Sequence, residues 1–294
     1  MKRAAIITAV LGISVWGFAE KGFAQSSDKP AAQNAPAGQT AGPAAGGQAA
    51  APAGKRKPMA KTQEEFAAYN AAVALTDPAA QEKAANDFAT KFPDSELRQL
   101  LYTQVMHRYQ QANNADKMME MAQKILALDA DDPEALVSVS QLLAERTRDT
   151  DLDKDQRLAE ARKDAQRALA TVDTDVPTGY PPEQLEAFKG YVRSEAYAIL
   201  GTLDFNAKAW ADAEANLKKS IDAFPQEPDP IAVFRLSVAL DMQSKYPEAM
   251  KYANQAVSMT KEGTPAGKAA RDEKDRLTQL IGGNSAPAPA PPKN

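Results

Sequence analysis

The 294 residues carry 35 Lys and Arg against 39 Asp and Glu, a formal net charge of −4, with no Cys and a single His. The near balance of charge builds no field favouring nucleic acid, and the lack of Cys excludes disulfides, thiolate metal sites, cysteine nucleophiles and a lipid-modified N-terminal cysteine. One His excludes His-rich zinc sites and leaves His107 as the only imidazole on which a Ser-His-Asp triad could rest.

Lys2 and Arg3 open the chain, an apolar stretch runs from Ala4 to Ala19, and Gly22, Phe23 and Ala24 precede a natural cleavage point. This order predicts an export signal over residues 1–24, cut after Ala24, and hence a periplasmic or secreted location. The apolar run, closed by Glu20 and Lys21, is shorter than the roughly 20 residues that span a bilayer. An uncleaved N-terminal anchor is the alternative.

Residues 25–61 read as a linker. Nineteen of the 24 residues from Ala31 to Gly54 are Ala, Pro or Gly, and none is charged. With no large apolar side chains to offset the entropy of ordering, such a segment is expected to stay a disordered tether. The basic cluster Lys55, Arg56, Lys57 and Lys61 follows, either as a solvated domain edge or as a contact with an anionic envelope surface. At the other end, residues 283–294 form a Pro/Ala tail expected to be extended and disordered.

Between Thr62 and Ile281 the pattern predicts helices throughout and no strand, because Ala, Leu, Glu, Lys, Gln and Met dominate and no run alternates apolar with polar. Pro78, Pro93, Pro133, Pro181, Pro182, Pro225, Pro228 and Pro230 punctuate it, whereas Pro247 fits the first turn of a helix starting near Tyr246. Phe66, Tyr69, Phe88 and Phe92 mark a first helix pair over about 64–95, ended by the turn Phe92-Pro93-Asp94-Ser95. A second pair, about 99–132, carries Tyr102, Val105, Tyr109, Ala122 and Ile125. A third, about 133–172, holds Leu136, Val139, Ser140 and Leu143, then Ala161, Ala165 and Ala168.

An insertion separates the two helices of that third pair. In it Asp149, Asp151, Asp153 and Asp155 alternate and Glu160 follows, the spacing of a calcium loop. Lys154 stands where such a loop needs Gly, so a solvated acidic loop with Asp155 capping the next helix is the simpler expectation. The loop Asp173–Glu183 comes next, as a rigid spacer or a contact element. A fourth pair, about 183–227, contains Tyr197, Leu200, Gly201, Trp210, Ala213, Leu217, Ile221 and Pro225. A fifth, about 230–263, contains Val233, Leu236, Ser237, Leu240, Tyr246, Ala249, Ala253 and Ala256. A charged helix over 265–281 closes the series.

These spaced copies resemble the tetratricopeptide repeat, a helix–turn–helix unit of about 34 residues in which small residues let two antiparallel helices approach. The match is best over 194–227, through Gly201 and Ala213, and is weaker where Met106 and Met118 replace small residues. The resemblance implies an all-α, right-handed α-solenoid of about five pairs with a capping helix. The Phe-Pro-Asp-Ser turn is similar to that of envelope-associated members.

In the family the first helix of each pair lines a concave side that holds extended peptides. Carried over, those positions are Thr103, Gln104, His107, Gln110 and Gln111 in the second pair and Val137, Ser138, Gln141 and Glu145 in the third. The fourth pair supplies Ala198, Ile199, Thr202, Phe205 and Asn206, and the fifth Phe234, Arg235, Val238 and Asp241. The groove is expected to be polar at one end and apolar at the other, with Ile199, Phe205, Phe234 and Val238 either as an exposed patch or as core covered by the C-terminal helix. Thr103, His107, Val137 and Gln141 stand where chaperone-binding members clamp a carboxylate, and they cannot supply paired positive charge.

The expected function is that of a non-catalytic exported scaffold binding a protein or peptide segment, without cofactor or nucleic acid and with no membrane span once the signal is removed. Self-association or tethering to the envelope is the alternative. No nucleophile motif or phosphate loop points to an enzyme.

Overall fold

The computed structural model describes residues 58–176 and 180–282. The expected export signal, nearly all of the linker and the Pro/Ala tail lie outside the described residues. Those described are all-α, without strand: α1 Gln63–Val73, α2 Pro78–Lys91, α3 Leu97–Gln111, α4 Ala115–Leu128, α5 Pro133–Arg146, α6 Lys154–Thr171, α7 Pro182–Asn206, α8 Trp210–Ala223, α9 Pro230–Asp241, α10 Tyr246–Met259 and α11 Pro265–Ile281.

Local chemistry sets the boundaries. Asp77, Asp132 and Asp229 precede Pro78, Pro133 and Pro230, and each carboxylate accepts a backbone N–H from the first turn of its helix, at Ala80, Ala135 and Ala232. The acid satisfies an orphan donor and the proline opens the helix where its missing N–H costs nothing. Thr62, Asn114 and Thr264 cap α1, α4 and α11 in the same way. At α6 the capping position belongs to Asp153, whose side chain makes no cap hydrogen bond, and Asp155 lies inside the first turn. The expected Asp155 cap is thus displaced by two residues, because the helix already begins at Lys154.

One turn recurs three times. Asn113, Lys208 and Ser244 adopt φ of 53°, 59° and 60°, in the left-handed region. Each is followed by an N–H that reaches back to close the preceding helix: Asn114 to the Tyr109 carbonyl at 2.9 Å, Ala209 to Asp204 at 2.9 Å and Lys245 to Leu240 at 3.0 Å. The result is a tight reversal between α3 and α4, α7 and α8, and α9 and α10.

Each helix packs on the next along the chain. Beyond that, the backbone of α1 meets that of α3, α5 meets α7, α7 meets α9 and α9 meets α11, while even-numbered helices keep their backbones apart and reach one another only by side chains, Lys117 to Glu82 and Lys218 to Glu248. No helix backbone approaches one more than two places away. The apolar interior is accordingly a series of overlapping clusters. Leu101, Val105, Met121 and Ile125 fill the first, Leu136, Ala165, Val192 and Leu200 the second, and Leu217, Leu236, Leu240 and Leu277 the third.

Small residues let paired helices close up. The Ser140 hydroxyl donates to the Ala161 carbonyl at 2.6 Å, and Ser237 to Ala249 at 3.0 Å. At Gly201 a Cβ would stand 2.7 Å from Leu217 Cγ, a distance no side chain tolerates. The 25-residue α7 is the longest helix described. Its first half brings Phe188 and Val192 onto Val137 and Val172, extending the packing beyond the part that matches the repeat.

Candidate functional site

Four helices, α3, α5, α7 and α9, carry all of the candidate binding residues. On α3, the Thr103 hydroxyl donates to the Gln99 carbonyl at 3.0 Å, turned onto its own helix. Gln104 accepts from Gln81 Nε2 at 3.3 Å. His107 is largely enclosed, its side chain 14% exposed, and Nε2 lies 2.6 Å from Glu134 Oε1 on α5, itself 11% exposed. Burial alone would lower the imidazole pKa, but the charge and hydrogen bond of Glu134, joined by the charge of Asp132, outweigh it and raise it. The ring therefore holds its proton more tightly than a free imidazole does, and Nε2–H donates to the Glu134 carboxylate.

Asp132 shares this neighbourhood. It caps α5 and accepts from Gln99 Nε2 at 2.8 Å. Burial is the main force on its carboxyl, and with the charges of Glu134 and Asp129 it pushes the pKa up to about 6 against the hydrogen bonds from Ala135 and Gln99. The strip joining α3 to α5 is thus a packed acid–base cluster with every partner supplied internally.

On α5, Val137 and Ser138 are 4% and 7% exposed. The expectation that they line an open groove fails, because the first half of α7 lies over them and takes Val137 into the second cluster. A small pocket remains between Gln110, Glu134, Ser138, Gln141 and Tyr191. Gln141 Nε2 donates to Glu145 at 2.9 Å along the helix.

The apolar end differs from the expected patch in a similar way. Ile199 is 5% exposed and belongs to the core. Phe205 is half-buried, edge-on to Trp210 at 5.3 Å between ring centres. Phe234 is half-buried against Val233, Ala256 and Ala270. Val238 keeps part of its surface, as do Thr202 and Arg235. Arg235 Nη1 donates to Thr202 Oγ1 at 2.8 Å, tying α9 to α7.

The calcium-like insertion is engaged otherwise. Lys154 Nζ bonds Asp149 at 2.8 Å and Arg157 lies 3.4 Å from Asp151. Asp155 and Glu160 ride on α6. The loop therefore binds its own cations, and among the described residues no group of three or more His, Asp or Glu side chains is placed to hold a metal ion. No described helix is long and apolar enough to cross a membrane.

Sequence reasoning did not find Glu134, the partner of His107, which comes from a different helix pair and has no spacing signature. No protein-family model matches the chain, and no curated protein matches it.

Proposed function

We propose that the chain is a non-catalytic exported scaffold that holds an extended protein segment and serves a complex of the cell envelope. Its helices would form a right-handed α-solenoid of tetratricopeptide-like pairs, capped by α11. One observation carries this reading: the backbones of odd-numbered helices come close to one another along most of the described chain, whereas even-numbered helices meet only through long side chains such as Lys117 with Glu82 and Lys218 with Glu248. Such asymmetry is what curvature requires, with the touching series on the inside. The side presented by α3, α5, α7 and α9 is then concave, and its partly exposed Phe205, Phe234 and Val238 supply apolar contact for a partner. In support of a capping role, α11 buries Ala270 and Leu277 while exposing Lys268, Asp272 and Asp275. Export rests on the order of charged, apolar and small residues in the first 24 positions.

The test is crosslinking in the native cell, with capture compared between the intact chain and the Phe205→Ser, Phe234→Ser double variant. Lost capture at unchanged helicity supports the groove; unchanged capture removes it. A second reading, self-association, draws on Met59 and Phe66, 66% and 51% exposed at the N-terminal end of the helical region. A monomer in sedimentation at all concentrations, with no affinity for envelope sacculi, ends it.

A further inference from the structure

Among the described residues, Arg235 on α9 is a cation whose surroundings leave it incompletely satisfied. Its single side-chain hydrogen bond goes to Thr202, and among the described residues no carboxylate lies within 4.0 Å of it. Asp229, at the start of its own helix, and Glu145, on α5, act on it only through longer-range attraction. Burial works against its charge. The other charged groups of this region are engaged: Arg162 and Asn216 hold Asp204, and Arg276 holds Asp241. The unused guanidinium donors are not sealed in, since none is a buried atom without a partner. They reach solvent, and Phe234 and Val238 on the same helix are also partly open.

A half-desolvated guanidinium with spare N–H groups binds a carboxylate more strongly than an exposed one does, because water competes less and the fork geometry matches two oxygens. Thr202 holds the fork in place from the neighbouring helix. We propose that Arg235 and Thr202 form an anchor for an acidic side chain of a bound protein segment, whose apolar neighbours lie on Phe234 and Val238. The proposal rests on the concave-groove reading and narrows it to one partner chemistry.

The experiment uses fluorescein-labelled peptides with an amidated C-terminus, Leu-Phe-Glu-Leu-Val and its Gln counterpart, plus a free-acid version of the Gln peptide and sodium acetate as competitor. Binding is read by anisotropy on the intact chain and on Arg235→Gln and Arg235→Lys, each checked for unchanged thermal unfolding. The proposal expects the Glu peptide to bind at least about tenfold more tightly than the Gln peptide. That difference should vanish in Arg235→Gln and be only partly restored in Arg235→Lys. Equal binding of Glu and Gln peptides, preference for the free-acid end alone, or acetate competing as well as the peptide would each overturn it. If Arg235→Gln captures the native partner normally while the Phe205, Phe234 double variant does not, the anchor is wrong and the groove stands. If neither variant alters capture, the groove itself is wrong.

Discussion

At the scale of single residues, His107 and Glu134 matter most because each is the other's compensation. Both are nearly enclosed, so deleting the imidazole would leave a carboxylate without water or cation. His107→Ala is expected to cost about 3 kcal/mol, in the range found when one member of a buried pair is removed, and His107→Gln less, since it keeps a donor. The pH dependence follows from the directions of the shifts. His107 binds its proton more tightly in the folded chain than at its ordinary value of 6.5, so its contribution is complete below that value and fades as pH rises through the higher folded one. Asp132, raised from 3.8 to about 6, has the same sign: stability falls as pH climbs through that window. Urea midpoints should therefore decline from about pH 4 to pH 6 through Asp132 and again above about pH 6.5 through His107. His107→Gln should flatten the upper half of this slope and Asp132→Asn the lower half; a slope unchanged in both variants contradicts the assignment. The repeat spacing singles out His107 as a hydrogen-bonding side chain of α3, and the structure encloses it. Its partner was not legible, because a contact between helices of different pairs leaves no trace in local periodicity.

At the scale of elements, the three left-handed turns set how tightly each pair folds back. Asn113 tolerates φ near 53°, as Asn does, but Lys208 at 59° and Ser244 at 60° hold side chains where only glycine is at ease. Lys208→Gly and Ser244→Gly should each stabilise by about 0.5–1 kcal/mol, part of the relieved strain being returned as glycine's greater entropy when unfolded. Asn113→Gly should gain less. Denaturant titration checks this ranking, and a loss at Lys208→Gly would contradict it. The helices themselves were legible, since Asp-Pro pairs and apolar spacing announce where they begin and which face turns inward. The left-handed residues were not, because none of the three is the glycine that signals such a turn. The covering of Val137 and Ser138 was equally hidden. The first half of α7 lies outside the best repeat match, and what it packs on is far away in sequence.

At the scale of the whole molecule, contacts reach at most two helices along, so stability should pass from neighbour to neighbour rather than from one common centre. Hydrogen exchange followed by mass spectrometry should find the slowest amides in α7 and α9, which each pack on the helices one and two places away in both directions, and faster exchange towards α1 and α11. The ends should open at a free energy lower by roughly a few kcal/mol. Uniform protection would contradict a neighbour-by-neighbour fold. The all-helical class was legible from composition and period alone. The path of the stack depends on side chains meeting across helices, which composition does not encode.

One discontinuity bears on how such a molecule responds to load. The backbones of α1 and α3 meet, as do those of α5 and α7, yet α3 and α5 do not; His107 with Glu134 and Gln99 with Asp132 bridge them by side chains. Where backbone lies on backbone, bending compresses close-packed atoms; where two rods are joined through side chains and an intervening helix, as α3 and α5 are through α4 and the first apolar cluster, bending slides softer contacts. A chain pulled at both ends would flex there before it flexed between α5 and α7.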